Sequence, residues 1–396
     1  MKKRILVIGP GMELGGVERS LLGLLDTINY DQYDVDLFLL NHSGELLHLL
    51  NPRVNLLPEI QAYALISSPI LQLFYERHFH MGLARLFCKL YGDIRGWIQH
   101  KKSINTILCN KLVTRSVPVF PGFYDYAFGF LAPHFLLTEK VHAKIKIGWV
   151  HTDYSDVKEK LDEEYTLPMW KKLDYIACVS NSVKDAFLNI YPSLSKKTII
   201  VENILSLELI NKYADEYEVI DEMPQDGSIR VLSIGRFTFQ KNFDVIPKVC
   251  RNLIDLGKDV KWYLIGYGSD EELIYSKIHE YGMEENVIVL GKRENPYPYI
   301  KACDIYVQPS RYEGKSVAVR EAQMLNKPVM ITRYATSFSQ LDEGTDGYIC
   351  EMGIKGITEG LLFLIDNPEV RESLILGTRG RVYDNINGID VILSLS

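Results

Sequence analysis

The sequence has few cysteines and no two of them spaced as a CxxC pair. Cys88, Cys109, Cys178, Cys250, Cys303 and Cys350 are scattered, mostly beside apolar neighbours. That excludes a disulfide frame or a cysteine zinc site and predicts reduced core residues in the cytosol. A long hydrophobic run is also missing. The apolar stretch at residues 5–8 stops at Gly9-Pro10-Gly11, far short of an export-signal core. Residues 62–75 come nearest to a spanning segment, but they are too few and are broken by Ser67, Ser68 and Pro69. No bilayer crossing is expected. Nor is there an excess of positive charge, since 51 Asp and Glu outnumber 44 Lys and Arg. Nucleic acid is therefore not an expected partner.

What is present is enough apolar residue for more than one core: 47% of 396 positions are hydrophobic, and a chain of this size normally splits into domains. Short β-rich apolar runs alternate with longer helical patterns, the signature of parallel sheets with crossover helices. Strands are predicted at 4–9, 33–40, 55–57, 124–130, 145–150, 175–180 and 198–202, and again at 229–235, 261–266, 287–291, 305–309, 329–332 and 347–350. The fold class is α/β, with two doubly wound Rossmann-like domains. The expected division is 1–210 for the first domain, 211–228 for an acidic linker containing Pro224 and Gly227, 229–380 for the second domain, and 381–396 for a tail interrupted by Asn385, Asn387 and Gly388. Ligands of such sheets bind outside the carboxyl ends of the strands, so the useful residues should directly follow strands.

Two places in the second domain satisfy that condition. Arg236 and Lys241 follow the strand at 229–235 and offer one planar donor fork and one mobile charge, suited to a diphosphate; a pair of solvated surface charges is an equal alternative. Farther on, Glu313 and Gly314 occupy a loop between the strand at 305–309 and a helix beginning near Ser316, with Glu321 inside that helix. At ~1.5 Å rise per residue the two carboxylates lie on the order of 10 Å apart, about the length of a sugar-diphosphate-ribose unit. The backbone amides of Lys315, Ser316 and Val317, at the positive end of the helix, would face phosphates between them. Two glutamates eight apart are commonly an accident, with the second merely exposed on its helix. Their setting in one domain with Arg236 and Lys241 is what makes the constellation specific.

With these residues in place, the sequence resembles the family 4 glycosyltransferases, retaining enzymes of the GT-B fold that include many builders of bacterial capsule, exopolysaccharide and lipopolysaccharide. The resemblance runs over essentially the whole chain. It rests on Gly15-Gly16-Val17-Glu18-Arg19, Gly235-Arg236 with Gln240-Lys241-Asn242, Gly266-Tyr267-Gly268, Asn295-Pro296-Tyr297-Pro298-Tyr299, and the Glu-x7-Glu motif from Glu313 to Glu321. It implies two domains facing across a cleft, the first taking the acceptor and the second a nucleotide sugar. By the same likeness Arg236 and Lys241 bind the donor diphosphate, Glu313 contacts the transferred sugar, Glu321 the ribose, and the backbone near Lys292 and Arg293 the base. Gly15 and Gly16 are implied to lean over the phosphates and sugar. UDP is the expected nucleotide, with GDP second.

A nicotinamide cofactor is disfavoured, because the third glycine of a GxGxxG fingerprint would fall on Leu14. His151 ends the strand at 145–150, has an ordinary pKa suited to acid–base work, and is implied by the resemblance to stand beside the reacting sugar; Asp153 is its neighbour in the acceptor cleft or a cap for the next segment. The Asp-x-Asp sequence Asp34-Val35-Asp36 starts a strand and so lies at the wrong end for a metal clamp. No metal and no cofactor are expected, the nucleotide sugar being a substrate. A nucleotide-sugar 2-epimerase and a non-catalytic partner of another transferase are the rival readings.

The acceptor side has one further feature. Residues 71–120 carry Arg77, Arg85, Lys89, Arg95, Lys101, Lys102, Lys111 and Arg115 against Glu76 and Asp93, interleaved with Phe74, Tyr75, Phe79, Phe87, Tyr91 and Trp97. This fits a helix lying on an anionic membrane surface, as a lipid-linked glycan acceptor on the inner face of a plasma membrane would require. An ordinary amphipathic helix with its aromatics in the core fits equally.

Overall fold

The computed structural model describes residues 2–60, 70–75, 79–99, 105–130, 134–152, 154, 163–383, 385 and 387–395. The chain divides into two compact units. One comprises Met1–Glu13, Val17–Asn203 and Ile386–Ser396; the other comprises Leu14–Gly16 and Ile204–Asn385.

Unit 1 is built on a parallel sheet of β1 (Lys3–Gly9), β2 (Tyr33–Leu39), β3 (Asn55–Leu56), β4 (Tyr124–Gly129), β5 (Ala143–Val150), β6 (Tyr175–Cys178) and β7 (Thr198–Ile200), in the order β3-β2-β1-β4-β5-β6-β7. Unit 2 has β8 (Ile229–Ile234), β9 (Val260–Ile265), β10 (Val287–Gly291), β11 (Ile305–Gln308), β12 (Val329–Thr332) and β13 (Tyr348–Cys350), ordered β10-β9-β8-β11-β12-β13. Every strand lies where the apolar runs predicted one. The strand order reverses between β1 and β4 in the first sheet and between β8 and β11 in the second. Loops leaving the carboxyl ends of these neighbours must diverge, which opens a crevice.

The second sheet is apolar on both faces, as a sheet covered by crossover helices must be. Val231, Trp262, Leu264, Ile305 and Val307 face one core cluster, while the alternating Leu232, Tyr263, Ile265 and Tyr306 face the other. Both layers are needed to hold the strand ends in position. The six cysteines are unpaired and buried, and burial pushes the thiols of Cys178, Cys250, Cys303 and Cys350 up to about 12.

The stretch expected as a linker belongs to unit 2. It begins within the helix Leu207–Ala214, and Ile210, Ala214, Val219 and Met223 enter the second core. Its acidic residues masked this, because four apolar anchors spread over fourteen positions give little periodicity. The tail also departs from the surrounding domain: the helix Gly388–Leu393 belongs to unit 1, where Leu393 O accepts a hydrogen bond from the Tyr126 hydroxyl at 2.7 Å.

In unit 1 the helix Phe79–Gln99 buries Gly82, Cys88 and Gly92 and leaves Phe79, Phe87, Tyr91 and Trp97 exposed. The aromatics therefore do not enter the core. Among the described residues no helix is long and apolar enough to cross a membrane.

One backbone approach in unit 2 demands glycine. Gly266, just after β9, has φ of 151°, and a Cβ there would lie 1.9 Å from Gly235 O. A Gly266→Ala variant is expected to lose about 3 kcal/mol from combined backbone strain and overpacking, measurable by urea unfolding.

Candidate functional site

The loops after β8 and β11 meet at the reversal point of the second sheet. Gln240-Lys241-Asn242 reaches from the first loop to the second with all three side chains. Gln240 Nε2 donates to Tyr312 O at 3.1 Å and to Glu313 Oε2 at 3.3 Å, Lys241 Nζ lies 2.5 Å from Glu313 Oε1, and Asn242 Nδ2 donates to Pro309 O at 2.8 Å. Asn242 takes the left-handed conformation at φ 63°, which asparagine tolerates better than most residues. Lys241 folds over Gly235, where a Cβ would sit 3.1 Å from its side chain.

Glu313 is 6% exposed. A carboxylate buried to that degree must be paired and hydrogen-bonded. It has Lys241, Gln240 and also Ser310, whose hydroxyl donates to Oε1 at 2.7 Å. Behind Ser310 the chain of donors continues through Gln308 Nε2 at 3.0 Å and the Tyr306 hydroxyl on Gln308 Oε1 at 2.9 Å. The Glu313 carbonyl accepts from Thr336 Oγ1 at 2.6 Å, and the Ser310 carbonyl from Thr332 Oγ1 at 2.5 Å. The loop is thus held on three sides.

Arg236 differs from Lys241. It is exposed, and among the described residues its side chain has no hydrogen bond or ion pair. It is the cation of the expected pair that stands ready for an external anion, while Lys241 is already committed to Glu313.

Glu321, on the helix Val317–Met324, is 1% exposed and accepts from the Tyr297 hydroxyl at 2.8 Å. It is a buried residue, not a solvated helix face. The expected row of free amides is interrupted: Ser316 N already donates to Gln340 Oε1 at 2.6 Å, and Gln340 Nε2 returns to Ser316 O at 3.2 Å. Gly314 is buried beside Glu313, Lys315 is half-buried, and Val317 opens the helix. Nearby, the buried Tyr334 hydroxyl and Ser337 Oγ have no hydrogen-bond partner among the described residues.

The Lys292 ammonium lies 3.9 Å above the Tyr267 ring, a cation–π contact. Arg293 is consumed structurally: its Nε donates to the Tyr299 hydroxyl at 2.7 Å and its guanidinium pairs with Glu222, which also accepts from Tyr299 at 2.7 Å. Only its backbone remains for a ligand, which is the part the sequence singled out.

Gly15 lies in the loop after β1 and Gly16 opens the helix Gly16–Thr27, and both belong to the short segment Leu14–Gly16 that is grouped with unit 2. Asp36 accepts from Arg4, Tyr124 and Asn55 at 2.8, 2.9 and 2.7 Å, so the Asp34–Asp36 pair is committed to the start of its strand. Among the described residues no three His, Cys, Asp or Glu gather as a metal site.

His151 follows β5 with its ring 5.3 Å from that of Phe130. The residue as a whole is partly covered, yet its Nε2 is sealed and lacks a partner, as does Asn203 Oδ1. Burial, then the neighbouring His134, lower its pKa to about 3 against the opposing effect of Asn203. The expected ordinary imidazole is therefore corrected: His151 is neutral at physiological pH and suited to hydrogen bonding. Asp153 lies outside the described residues.

Ser310, Gln340, Thr336 and Tyr297 are the polar partners that sequence reasoning did not select. Tyr297 stood within a quoted motif, but Gln340 is 24 residues from Ser316 and has no local signal.

Residues 219–381 match the family of glycosyl transferases group 1. An uncharacterized glycosyltransferase of Haemophilus influenzae is 28% identical over 165 residues, covering 41% of this chain and 46% of that protein. An N-acetylgalactosamine-N,N'-diacetylbacillosaminyl-diphospho-undecaprenol 4-alpha-N-acetylgalactosaminyltransferase of Campylobacter jejuni is 25% identical over 222 residues, covering 55% and 58%. The chain spans about half the length of the curated relatives it matches. Anabaena HepE in complex with UDP superposes with a TM-score of 0.69 at 14% identity, over 100% of both chains. The whole chain has the GT-B fold. Within the matched segment 219–381, the Glu313 network and Glu321 occupy the Glu-x7-Glu segment that the resemblance singled out.

Two outcomes are expected. Lys241→Met strips Glu313 of its cation and should cost about 3 kcal/mol, most of it regained when Glu313→Gln is added; urea unfolding of the single and double variants measures this. For pH, His151 and His134 have folded pKa values of about 3 and about 4, below the ordinary 6.5, largely through burial. The unfolded chain then binds more protons, so stability is full above pH 6.5 and falls as pH drops from there toward about 4. A His134→Gln, His151→Asn variant should show a shallower fall.

Proposed function

We propose that this protein is a retaining glycosyltransferase that moves a hexose or N-acetylhexosamine from a nucleotide sugar, UDP-linked, to a growing lipid-linked cell-surface polysaccharide or oligosaccharide, without a divalent metal. The observation that carries the reading is the buried Glu313 carboxylate, held by Lys241, Ser310 and Gln240 where β8 and β11 diverge, with the exposed Arg236 on the same loop as Lys241. A strand-end crevice with a fixed carboxylate and a free guanidinium suits a sugar joined to a diphosphate.

The chemistry follows from charge. As the anomeric bond breaks, negative charge accumulates on the departing nucleoside diphosphate and positive charge on the sugar carbon. Arg236 supplies a bidentate fork to the former. Lys241 adds a second cation that is oriented before any ligand arrives, which limits reorganisation during reaction. Acceptor attack from the face the diphosphate leaves would retain configuration. Neutral His151 offers a hydrogen bond to a sugar hydroxyl, and Glu321 one to the ribose. The unpartnered Tyr334 and Ser337 hydroxyls support a polar ligand near Glu313, since buried polar groups in native proteins are seldom left unsatisfied. UDP bound by HepE and the diphospho-undecaprenol in the Campylobacter enzyme's name support the donor and acceptor classes.

Thermal-shift screening with UDP, GDP and ADP sugars tests the donor, and a UDP sugar at 100-fold over Kd should add about 2.7 kcal/mol. Turnover should fall by about 10²–10³ in Arg236→Ala and survive EDTA. Stabilisation by none of the nucleotides, conversion of donor alone to its 2-epimer, or chelator-sensitive turnover restored by manganese would each count against the corresponding part of the proposal.

A further inference from the structure

The helix Phe79–Gln99 is amphipathic in the reverse sense to an ordinary surface helix. Its inward face carries small residues and one cation: Gly82 sits against the Phe74 ring, where a Cβ would approach to 2.8 Å, Cys88 is buried next to Cys109 of the helix Asn105–Ser116, Gly92 is buried one turn on, and Arg85 turns inward near the two cysteines with its Nη1 sealed. Its large apolar residues point the other way. Phe79, Leu83, Leu86, Phe87, Leu90, Tyr91, Ile94 and Trp97 recur at three- and four-residue spacing and are all exposed, Trp97 to 80%. Leu71 and Tyr75, on the preceding helix Ile70–Tyr75, are exposed to 81% and 94%. Phe87 and Tyr91 stack on each other at 5.9 Å instead of on the core. A contiguous apolar strip of this kind is rare on monomeric soluble surfaces and marks an interaction site.

Charge decides what covers it. By sequence, residues 71–120 carry eight Lys or Arg against two acids, a surplus of six in a chain whose net charge is −7; among the described residues Lys89 and Arg115 are exposed, whereas Arg85 turns inward. A second copy of the chain docked by a two-fold axis would set this positive region against itself. An anionic bilayer complements it. The helix, ~31 Å long at 1.5 Å per residue, is too polar to span, and aromatics at both ends suit the headgroup level, where their amphipathic rings concentrate.

We infer that the helix Phe79–Gln99 lies flat on an anionic lipid surface with its apolar strip in the headgroup–acyl boundary. The anchor is separate from the sugar-donor site and does not rest on the transferase reading. Its consequence for any membrane-embedded substrate is local concentration, because unit 1 is then held where that substrate resides.

The test is flotation of the full-length protein with vesicles of pure zwitterionic lipid or of zwitterionic lipid mixed with anionic lipid. Binding to the anionic vesicles is expected to be at least about tenfold stronger and to weaken with salt. Combined Leu83→Gln, Phe87→Gln, Leu90→Gln and Ile94→Gln should abolish flotation while changing the thermal midpoint little, because all four residues are more than half exposed. Lys89→Glu with Arg95→Glu should remove the anionic preference and provides an independent arm. Absence of wild-type flotation, equal binding to both vesicle types, or a lipid-indifferent dimer dissolved by the four glutamines would overturn the inference. Because no nucleotide enters this assay, its failure is distinguishable from failure of the donor screen.

Discussion

The geometry of the second unit hangs on one ion pair. β8 and β11 are neighbours in the sheet, but their following loops diverge; Arg311 N donates to Gln240 O at 2.8 Å and the Arg311 guanidinium pairs with Asp244 at 3.1 Å on the outer side. Lys241 and Glu313 close that gap at 2.5 Å across 72 residues of sequence, in a setting where neither charge is well hydrated. A buried pair of this kind contributes little net stability compared with apolar residues of the same shape. What it contributes is position. Gln240, Ser310 and Thr336 add hydrogen bonds to Glu313 in the position where Lys241 holds it, while Arg236 is left exposed.

The same low-dielectric surroundings act in opposite ways on the two units. In unit 2 the buried Glu313 carboxylate is matched by Lys241, Ser310 and Gln240. In unit 1 burial of His134 and His151 finds no countercharge, so the imidazoles lose their protons. A fixed charge and a neutral hydrogen-bonding ring are thus obtained from the same physical lever, the presence or absence of an opposite charge within reach.

The sheets were legible because the strands are short, β-branched and bounded by turn residues, which is a local property. Glu313, Glu321, Lys241 and Arg236 were legible as a set because all lie at or after strand ends. Their partnerships were not. Nothing local to Lys241 says that its ammonium is spent on Glu313, nor to Ser316 that Gln340 takes its amide, since these contacts form only when distant loops converge. The linker reading departs from the structure for the converse reason: 211–228 is locally acidic and aperiodic, yet Ala214, Val219 and Met223 are drawn in by a core built elsewhere. The aromatic helix of unit 1 had two equal readings because helical spacing tells which residues share a face but not which way the face turns. Gly82, Cys88 and Gly92 settle only which face turns inward, their small size permitting close packing that the aromatics would block.

The placement of Gly388–Leu393 within unit 1 makes unit 2 topologically an insertion. Apart from the short excursion Leu14–Gly16, unit 1 is left at Asn203 and re-entered only after Asn385, and the Tyr126–Leu393 hydrogen bond joins residues 267 positions apart. During synthesis all seven strands of the first sheet emerge before the helix that completes that unit. The intervening residues form one closed loop, whose entropic cost grows only logarithmically with length and falls further once unit 2 has collapsed and shortened the effective span. Completion of the first-made unit is thereby coupled to folding of the second, so a lesion that delays unit 2 leaves the Tyr126 hydroxyl of unit 1 without its acceptor.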